Sequence, residues 1–107
     1  MDFREIDIKV SAGGDSSQVA ISGANAQSAA FAFTDPNGRA VGSGDVVVTA
    51  TVDCFFRQGA NPTALANGTD QFLLAGNTVR LSGILTGNKL AFITSGATGT
   101  VYLTPGA

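Results

Sequence analysis

The chain has no histidine and a single cysteine, Cys54. A Ser–His or Cys–His relay therefore lacks its base, a Cys/His zinc site lacks its ligands, and an intrachain disulfide lacks its second thiol. Charge is also scarce. At 13% of residues, charged side chains have about half their usual share. Six basic and eight acidic residues leave a net charge of −2, without the clustered basic face that nucleic acid requires. No apolar run is long enough to cross a bilayer as a helix. No EF-hand, Walker or dinucleotide-binding pattern occurs. These absences leave no catalytic, cofactor-binding or metal-ligating residue to name, so the expectation is a protein that is not an enzyme, holds no cofactor, and binds neither nucleic acid nor membrane. With so little charge, the surface must consist largely of Thr, Ser, Asn, Gly and Ala, which suits a protein packed against others.

What the chain does have is alternation. In residues 45–57, DVVVTATVDCFFR, one parity is Val46, Val48, Ala50, Val52, Cys54 and Phe56, and the other is mostly polar. Side chains alternate across a strand, so this stretch reads as one long central strand with a buried and a wet face. Cys54 falls on the apolar parity and is expected to be a buried, inert thiol. Asp45 and Asp53, eight apart on such a strand, would stand roughly 26 Å from each other, too far for paired acid–base work. Lys9 and Lys89 fall in alternating patterns that predict solvated faces.

The remaining chain reads as short strands and turns. Residues 3–10 set Ile6, Ile8 and Val10 against Glu5, Asp7 and Lys9. Five of the charged residues, Asp2, Arg4, Glu5, Asp7 and Lys9, sit within the first nine positions. Residues 1–14 are thus expected to form an N-terminal strand or arm with a Gly-rich hinge. Residues 18–22 read as a strand with Val19 and Ile21 inward, and 28–34 as another with Ala29, Phe31 and Phe33 on one side. DPNGR, residues 35–39, predicts a hairpin turn. Residues 58–70 form the longest stretch without periodicity, expected to fold down on a sheet, with a short helical turn at 63–66 as one option. Residues 71–75 and 78–85 flank Gly76-Asn77, read as a two-residue hairpin turn. Strands at 89–95 and 100–104 follow, and the last strands read as a hairpin-linked meander. The whole predicts a single all-β domain, residues 1–107: a small antiparallel β-sandwich or a jelly-roll-like barrel of seven or eight strands. Most aromatics fall on apolar faces. Phe55 is the exception, on the wet parity between Asp53 and Arg57, where the 58–70 loop or a partner chain would cover it.

Residues 54–107 run from CFFRQGANPTALANG through the segments FLLAG and GNKLAFI to a closing GTVYLTPG. This half resembles a class of small virion proteins of tailed bacteriophages. The resemblance implies a capsid decoration (cement) protein that binds the shell surface and staples neighbouring major capsid protein subunits. It implies residence on the virion capsid surface after synthesis in the bacterial host cytoplasm, in keeping with an opening, MDFREIDIKV, that is unlike a secretory signal peptide. The major capsid protein would be the partner, with a second copy of the chain as a further candidate. The resemblance carries over no site residues. The expected contact residues come from the charged arm and the long loop: Phe3, Arg4, Glu5, Asp7 and Lys9, with Phe55, Arg57, Asn61 and Pro62. Two alternatives stay open: a tail, fibre or adaptor component of the same kind of virion, and a carbohydrate-binding β-sandwich using Phe55 and Tyr102.

Overall fold

A computed structural model describes residues 17–35, 37–66 and 70–106. The expected N-terminal strand or arm lies outside these residues. Ten strands and no helix occur among them: β1 Ser17–Ile21, β2 Ala26–Gln27, β3 Phe33–Thr34, β4 Ala40–Val41, β5 Ser43–Ala50, β6 Cys54–Gly59, β7 Gln71–Leu73, β8 Thr78–Leu85, β9 Lys89–Ile93 and β10 Gly99–Gly106. They form two four-stranded sheets, ordered β1-β10-β5-β8 and β2-β9-β6-β7, and a two-stranded ribbon, β3-β4. Every pairing is antiparallel. The chain is therefore all-β, with the two layers of a small β-sandwich. The core between them contains Val46, Val48 and Leu103 from the first sheet with Cys54, Phe56, Leu73, Leu90 and Phe92 from the second.

The stretch 45–57 is not one strand. It breaks at residues 51–53 and passes from β5 in the first sheet to β6 in the second. Backbone bonding holds the bend. Thr51 N donates to Thr100 O, and Thr100 N donates to Thr51 Oγ1, each at 2.9 Å. A side chain at residue 99 would collide with this bend, since a Cβ on Gly99 would lie 2.5 Å from Thr51 Oγ1. The inward parity nevertheless survives at five of its six positions: Val46, Val48 and Ala50 are buried before the bend and Cys54 and Phe56 after it, while Val52 in the bend is only partly buried and Val47, on the outer parity, is buried too. Both sheets face the same core, so a bend that spans an odd number of residues, here three, keeps the buried parity in step.

The C-terminal meander is also corrected. Gly76-Asn77 does not join paired strands, because β7 pairs with β6 whereas β8 pairs with β5. The connections β8–β9 and β9–β10 likewise link opposite sheets. These turns are arches across the sandwich rather than hairpins. Gly76, with φ of 80°, donates its N–H to Ala50 O, and Ala75 N donates to Asp53 Oδ1 at 2.8 Å. The β7–β8 arch is thereby bonded to the β5–β6 bend. Turn chemistry locates a reversal but says nothing of which strand lies alongside, and that choice is long-range.

Residues 28–34 are a strand only at Phe33–Thr34. Ahead of it the chain follows the start of β9 irregularly. Ser28 is buried, and its Oγ accepts from Leu90 N and donates to Ala29 O. Phe31 and Phe33 enter the core, but Ala29 is exposed. The hairpin over residues 35–39 is present: Phe33 pairs with Val41, and Asp35 Oδ1 accepts from the N–H groups of Asn37 and Arg39. β8 carries a bulge opposite Gly44/Val46, where Gly83 adopts φ of 76°. The extra residue shifts the parity, so Ile84 is buried and Leu85 is 53% exposed.

Candidate functional site: the outer face of the second sheet

Register places three rows on the outer face of the β2-β9-β6-β7 sheet. One row is Ile93, Phe55 and Phe72; the next is Gln27, Ala91 and Arg57. Lys89 opposite Gly59 ends the face. The loop after β6 lies over the middle row. Ala91 has no exposed surface although it points away from the core, and Pro62 and Ala64 in the loop are buried. Polar side chains pin the loop. Gln27 Nε2 donates to Asn61 Oδ1 at 2.9 Å and to Pro62 O at 2.8 Å. Asn25 Nδ2 donates to Pro62 O, and Asn25 Oδ1 accepts from Ala64 N at 2.8 Å. No helical turn forms at 63–66, because the backbone bonds there go to side chains of other segments.

Asp70 closes the far end of the loop. Its Oδ1 receives Arg57 Nε at 2.8 Å and lies 2.6 Å from Arg57 Nη2, while Oδ2 accepts Leu65 N at 2.6 Å. The Leu65 N–H, then the Arg57 guanidinium, hold this carboxyl below the usual carboxylate range against some opposing desolvation. Arg57 is thus spent on an internal ion pair.

The loop stops short of the outermost row. Phe55 and Ile93 are half-buried, Phe72 is 52% exposed and Leu74 is 50% exposed. Phe72 meets Phe55 edge-on, with ring centroids 5.2 Å apart. Leu65, in the loop, is also exposed. Of the expected contact residues, Phe55, Arg57, Asn61 and Pro62 do gather on this one face. Pro62 is buried and holds the loop, so Phe55 is the one that offers apolar surface to a partner. Phe3, Arg4, Glu5, Asp7 and Lys9 lie outside the described residues. Sequence reasoning passed over Phe72 and Leu74, because the run FLLA has no polar residue to mark its wet parity.

Other sites are less developed. Tyr102 is half exposed on the outer face of the first sheet, opposite Gln18 and Thr49. A cavity of about 200 Å³ opens between β8 and the second sheet, lined by Phe56, Leu81, Ile84 and Leu90 with Gln58 and Gln71 among its polar groups. It is smaller than the usual small-molecule site of roughly 300–1,000 Å³. Among the described residues no group of three or more Cys, Asp or Glu is placed to hold a metal ion, and no helix is long and apolar enough to cross a membrane. Comparison with protein-family models, curated proteins and solved structures finds no match to the chain.

Proposed function

We propose that the chain is a non-catalytic structural protein of a tailed-phage virion, a decoration protein that sits on the assembled shell and bridges neighbouring coat subunits. The observation that carries this reading is the outer face of the second sheet: a β surface on which Arg57 and Asp70 pair with each other, with a partly exposed apolar row beside a pinned loop. Such a face suits protein contact. The resemblance of residues 54–107 to small virion proteins of tailed phages suggests the kind of partner.

The finer fold is part of the proposal. In chain order, leaving out the β3–β4 ribbon, the strands fall into the sheets as first, second, first, second, second, first, second, first. This order supports the reading as a jelly roll built from two Greek keys, an architecture that recurs in viral capsid and lectin domains. A fold alone does not assign function. The lectin-like alternative loses support from geometry, since Tyr102 and Phe55 occupy outer faces of different sheets and cannot line one concave surface.

The test is co-sedimentation of purified protein with undecorated shells. Saturable binding is expected, with weak dependence on salt because neutral surface is buried rather than phosphate neutralised. A chain lacking residues 1–13 should bind less well if the charged arm is a second contact, through lost avidity. Association with tails in place of shells would replace decoration by the adaptor reading.

A further inference from the structure

Among the described residues, strand β7 pairs with a neighbouring strand on one side only. It ends the second sheet, has three residues, and its other backbone edge has no partner strand among the described residues. An edge of this kind presents unpaired N–H and C=O groups to any other extended chain. Beside this edge lies the apolar row of Phe55, Phe72 and Ile93, with Leu74 next on the parity of Phe72. The two features share one corner of the molecule. The aromatic pair Phe55–Phe72 already holds the row in shape.

We propose that this corner takes an extended, largely uncharged segment of a partner protein, added as a fifth strand beside β7 with its alternate apolar side chains on the Phe55–Phe72 row. The inference rests on the virion reading and names what the coat subunit would contribute: an arm or loop in extended form. Three observations select this occupant. The first is size. A half-exposed phenylalanine leaves about 100 Å² and the whole row on the order of 300 Å², the size of a functional patch. Two copies meeting through it would bury roughly 600 Å², well below the ~1,200 Å² of a stable dimer. A strand gains main-chain hydrogen bonds in addition to that area. The second is charge. Arg57 is paired with Asp70, so among the described residues the charge bordering the row and in no ion pair is Asp53, whose Oδ1 accepts Ala75 N. Acidic segments are thereby disfavoured and a basic residue is tolerated at the Asp53 end. The third is the edge itself, without a partner strand among the described residues, which a helix or a sugar would leave unused.

The experiment is a selection of displayed random ten-residue peptides on the immobilised full chain. Recovered peptides should alternate apolar residues and lack acidic ones. Their binding should fall at least tenfold with Phe72→Ser and be unchanged with Tyr102→Ser, which alters the outer face of the other sheet. Amides of residues 71–74 should gain hydrogen-exchange protection on binding. Should Phe72→Ser fail to fold, Leu74→Glu makes the same test from a position outside the core. Recovery of no peptide, or of peptides indifferent to both changes, overturns the proposal. Shell sedimentation separates it from the virion reading. If shells bind the parent chain and Phe72→Ser alike, the row is wrong and decoration stands. If peptides bind the row while shells bind nothing, the row stands and decoration falls.

Discussion

Cys54 makes stability depend on alkaline pH in a way that one substitution isolates. The residue opens β6 with no exposed surface, in the core shared with Phe56, Leu73 and Phe92. Burial, and secondarily the neighbouring Asp53 charge, push the thiol up from an ordinary 9.0 to about 11. Between these values the unfolded chain releases the proton while the folded chain keeps it. The folded state then binds more protons, so stability falls as pH rises. The contribution is complete below about pH 9 and is lost on the way to pH 11, at 1.36 kcal/mol for each pKa unit, or about 2 kcal/mol by pH 11. Cys54→Ala removes the thiol and leaves a small cavity, a loss of about 1–2 kcal/mol at pH 8. Urea unfolding of both proteins under reductant, from pH 8 to pH 11, should therefore show two curves that converge and cross. Groups common to both proteins cancel in the difference. Parallel curves would refute the reasoning, as would rapid labelling of the native thiol at pH 8, since a burial-raised pKa and a closed core should both suppress it.

A Cβ on Gly44 would lie 2.3 Å from the Phe33 ring, whereas one on Gly42 meets nothing within 4 Å; Gly44→Ala should cost about 1–3 kcal/mol in chemical denaturation, and Gly42→Ala much less. Asp70→Asn weakens the carboxylate that holds Leu65 N and Arg57. Because that carboxyl is lowered from 3.8, its contribution is present above this value and lost as pH falls below it. The variant should show a shallower acid transition below pH 4, and at pH 7 faster proteolysis within residues 60–66. Far-ultraviolet circular dichroism should show sheet without substantial helix, and a strong helical signal would contradict the strand assignment.

Much of the fold was legible because the physics behind it is local. The buried parity of 45–57 follows from the two-residue repeat of a strand, and it held across a bend that the repeat does not reveal. The 35–39 hairpin follows from an Asp that bonds its own turn and a Gly at positive φ. Strand pairing was illegible for the opposite reason. Gly76-Asn77 has the chemistry of a hairpin, yet its flanking strands pair with β5 and β6, more than twenty and more than ten residues away in sequence. Residue types at the turn do not encode that choice; the burial of Val79 and Leu73 against a common core does. The bulge at Ser82-Gly83 had a signal, a glycine within a strand pattern, and it explains why Leu85 faces solvent.

The candidate site was half legible, and the division follows the loop. Phe55 stood out because a phenylalanine on a wet parity needs a cover. The structure gives that cover to its neighbours instead. Asn25, Gln27 and Asp70 draw residues 61–65 over Ala91 and the Arg57 stem, and the cover ends one row before Phe55. If the loop served only to complete the core, the row with the larger side chains would be the one to cover, since burial scales with apolar area. It covers an alanine and leaves Phe72 and Leu74 exposed at the sheet's open edge, with Phe55 half-buried beside them. Stability does not account for that distribution. The contact surface proposed above would account for it, and on that proposal loosening Asp70 should enlarge the apolar face while weakening the loop that borders it.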